Sequence, residues 1–129
     1  MRDDATYLGD ILEACARIAT YVAGQSLEAF LSDPLRQDAL LYRLAVIGEA
    51  AGRLTKDLRA TQPSIPWRKI VAMRNILVHD YAGADPRIAW KTATVYVPEL
   101  VPVVEQMRTS LIRAAGLASD ESSKDFAHV

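Results

Sequence analysis

Between Asp4 and Ala23 apolar residues return every three or four positions, at Leu8, Ile11, Leu12, Cys15, Ile18, Ala19 and Val22, which keeps them on one face of a long helix. Gly24 is placed to end that helix, and Ser26 to cap a short turn through Leu31. Asp33-Pro34 then joins a capping side chain to a proline in the first helical turn. A second long helix is expected from there to about Arg59. Its Leu40, Leu44, Ile47, Ala51, Leu54 and Leu58 form a heptad-like stripe suited to packing between near-antiparallel helices. Thr61 to Ser64 reads as a loop, and Pro66 opens a third helix that turns Trp67, Ile70, Val71, Leu77 and Val78 inward and ends near His79. Asp85-Pro86 repeats the cap-then-proline start. Ile88, Val95, Leu100, Val104, Met107 and Leu111 carry a last helix toward Gly116, with a kink or a break expected near Tyr96 to Pro98, because Pro98 and Pro102 each lack a donor and crowd the preceding turn. No strand-like alternation of useful length occurs. The pattern predicts an all-α bundle of four main helices in residues 1–116, followed by a mobile tail over 117–129.

Composition narrows the class without changing this picture. Half of the 129 residues are hydrophobic and 24% are charged, the balance of a globular chain that buries its own core without metal or disulfide. The single cysteine, Cys15, has no partner for an internal disulfide and reads as a small core residue. No apolar run approaches the roughly 20 residues needed to span a bilayer, and Met1-Arg2-Asp3-Asp4 does not resemble a signal peptide, so a cytoplasmic location is expected. The net charge of −1 conceals an asymmetry. Residues 53–79 hold Arg53, Lys56, Arg59, Arg68, Lys69 and Arg74 against Asp57 alone, a local excess of +5. From charge alone such a run is a solvated helix face before it is an anion site.

Candidate chemistry concentrates at the end of the third helix. Of two histidines, His128 lies in the tail, which leaves His79 for acid-base work within Arg74-Asn75-Ile76-Leu77-Val78-His79-Asp80-Tyr81. Asn75 and His79 share a helix face, whereas Arg74 and His79 stand about 140° apart around an ideal helix. A long arginine stem, a loosened last turn after Val78, or a second copy of the segment across a dimer axis can bring them together. Cleavage of an RNA phosphodiester needs a base for the 2′-hydroxyl, an acid for the leaving oxygen and a fixed cation for the phosphate. An imidazole that ordinarily titrates near pH 6.5 (about) and a guanidinium meet those needs, and Asn75 can orient the ring or bond a phosphate oxygen. No metal is called for, since one histidine with Asp80 and Asp85 is no preformed cage. The competing reading of the same residues is structural, with His79 as a helix-end cap and Arg74 paired to Glu49 or Asp80. Glu49 sits among Gly48, Ala50, Ala51 and Gly52, where a neighbour can approach closely, and is either a surface acid or a partner for Arg74, the partner being preferred. Trp67 and Trp90 are read as core and interface aromatics.

Ile65-Pro66-Trp67-Arg68-Lys69-Ile70, the run from Met73 to Tyr81 and the upstream Val46-Ile47-Gly48-Glu49-Ala50 together resemble the HepT-like branch of the HEPN superfamily, over roughly residues 5 to 112. The signature of arginine, a polar residue, three further positions, histidine, any residue and tyrosine is met at every defining position. The resemblance implies a four-to-five-helix bundle that dimerises, with two copies of the motif lining a shared cleft. It implies a metal-independent ribonuclease toxin needing no cofactor, with RNA as substrate and a small nucleotidyltransferase antitoxin as partner. Carried onto this chain, Arg74 binds phosphate, His79 is the acid-base group, Asn75 assists and Tyr81 receives adenylate. A phosphate anion on Tyr81 is expected beside Arg74 and His79. The alternative is a non-catalytic helical module that binds its nucleotidyltransferase partner or a nucleotide, a reading the net charge of −1 favours.

Overall fold

The computed structural model describes residues 3–127, the side chains of 80 and 117–127 excepted, and is all-α as expected. His128 lies outside the described residues. The helices are α1 (Asp4–Val22), α2 (Leu27–Leu31), α3 (Pro34–Arg53), α4 (Lys56–Ala60), α5 (Trp67–Ala72), α6 (Pro86–Lys91) and α7 (Val97–Ala127). Gly116 falls inside α7 instead of ending it. The predicted caps are in place. Ser26 Oγ accepts from the Ala29 amide at 3.1 Å, an Asp33 carboxylate oxygen from that of Arg36 at 3.1 Å, and one of Asp85 from that of Arg87 at 2.9 Å. Gly24 takes the positive φ of 69° that lets the chain turn out of α1.

α1 packs against both α3 and α7, and the stripes read from the sequence meet between them. Leu8, Ile11, Ile18, Leu40, Ile47 and Val104 are fully buried, each such side chain stabilising by about 1.5–3 kcal/mol. Phe30 of α2 closes one end of the core, its ring centroid 5.2 Å from that of Trp90. Cys15 lies in this core, and burial pushes its thiol pKa up to about 11. A raised pKa keeps the unreactive thiol form through neutral pH. Iodoacetamide at about pH 8 is therefore expected to leave native Cys15 unlabelled and to modify it fully after denaturation, as read by intact mass. Rapid labelling of the native chain would contradict its burial.

Four sequence expectations are corrected. The second long helix stops at Arg53, six residues short, because the Asp4 carboxylate takes the Thr55 amide at 2.9 Å and its hydroxyl at 2.7 Å. Thr55 Oγ1 then caps α4 by accepting from the Leu58 amide at 3.3 Å. The third helix does not end at His79. It narrows to a 3₁₀ turn at Met73–Asn75, widens to a π turn at Ile76–Asp80 and narrows again at Tyr81–Gly83. These changes of pitch rotate Val78 outward, 76% exposed, and leave Leu77 exposed as well, while Met73 and Ile76 reach the core. In the last helical stretch Ile88 is 66% exposed and Val95 is also exposed, and the small Ala89 and Ala93 face inward in their place. The kink foreseen near Tyr96 is a π turn at Thr92–Tyr96, in which the Val97 amide bonds the Thr92 carbonyl. The wider turn ends just ahead of Pro98, whose nitrogen carries no donor. Among the described residues no helix is long and apolar enough to cross a membrane.

Candidate functional site

The motif segment Met73–Gly83 lies along α3 and runs antiparallel to it. Its approach is closest at Gly48. A Cβ there would stand 2.8 Å from the Ile70 carbonyl oxygen, 2.9 Å from the Met73 carbonyl carbon and nearer still to the Arg74 amide nitrogen. Only glycine lets the two backbones meet, so the close approach expected around Glu49 is found, and its object is backbone. One turn further along α3, a Cβ at Gly52 would lie 3.1 Å from Arg74 Nη1 and 3.3 Å from Val71 Cγ1. The Arg74 side chain therefore stretches from Gly48 toward Gly52, the carboxyl end of α3. Trp67 anchors the start of α5, its Nε1 donating to the carbonyls of Arg59 at 3.0 Å and Gln62 at 3.1 Å.

At the other end of the segment the Tyr81 hydroxyl donates to an Asp38 carboxylate oxygen in the first half of α3. This hydrogen bond raises the Tyr81 pKa above its ordinary value, with burial and the Asp38 charge adding to it. The phenol thus stays protonated at neutral pH. Fourteen residues of α3 separate Asp38 from Gly52, roughly 20 Å at helical rise. Within one chain the Tyr81 oxygen and the Arg74 guanidinium lie at opposite ends of the segment, which corrects the expectation that a phosphate on Tyr81 sits beside Arg74. His79 is exposed on the π turn between them. The turn loosens from Ile76 instead of after Val78, and π winding advances each residue by a smaller angle. The guanidinium nevertheless points away from His79, toward Gly52. Asn75, exposed, closes the 3₁₀ turn next to Arg74.

Glu49 is not the partner of Arg74. Its Oε1 accepts from Arg53 Nε at 3.0 Å, one turn along α3, and both side chains are more than half exposed, so the pair contributes little. Among the described residues no three His, Cys, Asp or Glu side chains converge on one point. A groove of about 680 Å³ lies between α5 and α7, lined by Ile65, Ile70, Met73, Tyr96, Leu100 and Val103, and contains none of Arg74, His79 and Tyr81. The motif is an open surface strip. Asp38 escaped the sequence reading because 43 residues separate it from Tyr81 and no local pattern links them.

Residues 11–107 match the model of a family described as ribonuclease HepT-like, a span that holds the whole Arg74–Tyr81 motif, Asp38, Gly48 and Gly52. The chain belongs to the HepT-like ribonuclease family. A Thermococcus cleftensis protein named as a probable ribonuclease HepT is 37% identical over 107 residues, covering 83% of this chain and 97% of its own length. A protein of Caldanaerobacter subterraneus subsp. tengcongensis, provisionally named an RNase, is 36% identical over 107 residues, 83% of this chain and 96% of its own. Another with such a provisional name, from Methanocaldococcus jannaschii, is 33% identical over 104 residues, 81% and 95% of the two chains. No solved structure gives a significant match. In this chain the glycine seat on α3 lets the Arg74-bearing turn press onto the bundle, while His79 and Tyr81 stay at the surface.

Proposed function

We propose that this HepT-like protein is a metal-independent endoribonuclease, the toxin of a toxin-antitoxin pair, acting as a homodimer in the cytoplasm and neutralised by a nucleotidyltransferase antitoxin. The observation that carries the reading is an unbroken family motif on one exposed segment, with a guanidinium, a carboxamide and an imidazole all solvent-facing. His79 takes the 2′-hydroxyl proton, the 2′-oxygen attacks phosphorus, and the P–O5′ bond breaks to leave a 2′,3′-cyclic phosphate. An imidazolium returns a proton to the 5′-oxygen. Arg74 holds the phosphate as charge develops on it, and Asn75 assists.

The layout along α3 gives dimerisation a chemical role. Arg74 reaches one way and His79 and Tyr81 lie the other way, so a second copy docked antiparallel across a two-fold axis sets its Arg74 beside this chain's His79. Leu77 and Val78, exposed on the same turn, supply apolar surface for such a contact. Adenylate on Tyr81 then meets the Arg74 of the second copy and blocks RNA there. Purified chain is expected to cleave RNA in excess chelator. A strict requirement for divalent cations would remove the metal-free mechanism, and no cleavage under any condition would favour a helical module that only binds its nucleotidyltransferase. Co-expression with a nucleotidyltransferase encoded beside it is expected to add adenylate mass to the Tyr81 peptide, with Tyr81→Phe still toxic. An unmodified chain in a neutralised complex would refute the covalent switch.

A further inference from the structure

We propose that Asp38 is the base that activates the Tyr81 hydroxyl as a nucleophile, so that the chain supplies in cis the proton acceptor for its own modification. This rests on the reading that Tyr81 is the adenylate acceptor, and it deepens that reading by assigning the proton. The Tyr81 hydroxyl donates directly to an Asp38 carboxylate oxygen, which accepts. Both residues are exposed at the surface where an enzyme bearing a nucleoside triphosphate can reach the phenol oxygen. The other charged side chains of α3 are held elsewhere. Arg36 bonds Asp33 at 3.1 Å and the Tyr21 carbonyl at 3.0 Å, Arg43 bonds the Tyr21 hydroxyl at 3.3 Å, and Arg53 bonds Glu49 at 3.0 Å. Asp38 is the α3 charge that faces Tyr81, with His79 two residues before it on the motif segment.

The chemistry balances. The Tyr81 oxygen forms a bond to the α-phosphorus of the nucleoside triphosphate, the bond to the bridging oxygen breaks, and pyrophosphate leaves with that electron pair. The phenolic proton passes to Asp38 as the new bond forms. In the resting state the proton belongs on the phenol, whose ionisation the neighbouring carboxylate opposes. As the oxygen bonds to phosphorus it becomes strongly acidic, and the carboxylate already in contact accepts the proton without reorganisation. Without such a base the attack must wait for the small fraction of phenolate. Once esterified, the oxygen has no proton left to donate, and its phosphodiester anion faces the carboxylate that had held it. The Tyr81–Asp38 tie is thereby released.

The prediction is separable from the identity of any partner, because a small acylating agent reports the same proton transfer. N-acetylimidazole acetylates tyrosine oxygens, and peptide mass spectrometry assigns each site. Tyr42 and Tyr96, each 52% exposed against 43% for Tyr81, serve as internal references. Where a hydrogen-bonded base takes the proton, the rate does not follow the phenolate fraction and stays flat from about pH 6 to about pH 8, whereas attack through phenolate rises tenfold per unit. Wild-type Tyr81 is expected to show the flat profile and the two references the rising one. Asp38→Asn is expected to convert Tyr81 to the rising profile and to lower its rate at about pH 6 by about 10²-fold, with unchanged circular dichroism. A rising wild-type profile for Tyr81 overturns the proposal whether or not the variant folds, as does a folded Asp38→Asn chain that keeps the flat profile. Loss of adenylate transfer from a partner with the flat acetylation profile intact would instead count against Tyr81 as the acceptor.

Discussion

His79→Ala is expected to reduce RNA cleavage by about 10²–10⁴-fold, to the background of a parallel blank, while RNA binding is largely retained. An imidazole is the side chain suited to acid-base work in the proposed reaction, and alanine at position 79 leaves the Arg74 cation proposed to hold the phosphate untouched. Since His79 is exposed, the substitution removes no core contact, and the melting temperature should stay within a degree or two of wild type. Arg74→Ala should behave differently. Loss of the cation costs about 2–4 kcal/mol of transition-state stabilisation by analogy with other anion-binding donors, and RNA affinity falls as well. Cleavage assays with both variants beside filter binding separate the two roles. Full activity in His79→Ala would end the catalytic assignment, and equal loss of binding in both would show that the histidine is a ligand for RNA and not an acid or base.

Gly48→Ala is expected to lower stability by about 3 kcal/mol, although the residue lies in the interior of a helix. In an unobstructed helix the exchange would stabilise by about 1 kcal/mol through backbone entropy. Here the new methyl would meet the carbonyls of Ile70 and Met73 and the amide of Arg74, all backbone, none of which can swing aside. The clash wins, and relief requires the whole motif segment to lift from α3. Gly116→Ala is the control, because a Cβ there meets nothing within 4 Å. Gly52→Ala falls between them. Its methyl would press on the end of the Arg74 side chain and on Val71, so it should perturb phosphate handling more than folding. Thermal melts by circular dichroism rank the three, and a Gly48→Ala chain as stable as wild type would show that the two backbones can part at no cost.

The candidate site residues were plain in the linear chain. Arg74, Asn75, His79 and Tyr81 stand in a fixed short spacing, and the glycines flanking Glu49 announce a close approach before its object is known. The apolar stripes of α1 and α3 and the caps at Ser26, Asp33 and Asp85 were equally legible, because helix periodicity and capping are local properties that a few consecutive residues determine. Of the two readings of Glu49, the surface acid holds and the Arg74 partner does not, since a neighbour one turn away competes with any distant arginine and is always within reach.

What the tertiary structure alone decided are the features made by residues far apart in sequence. Asp4 ends α3 by capturing Thr55, 51 positions later, and no propensity at Thr55 foretells it. Packing against Gly48 is accompanied by a 3₁₀ turn and then a π turn in the motif, so the faces of Leu77 and Val78 cannot be read from a uniform 3.6-residue period. Asp38 meets Tyr81 only because the segment runs antiparallel along α3, and that same course sends the Arg74 guanidinium the opposite way. Local sequence sets which residues a helix can present. Their meeting is fixed by how helices cross, and that depends on packing summed over the whole chain.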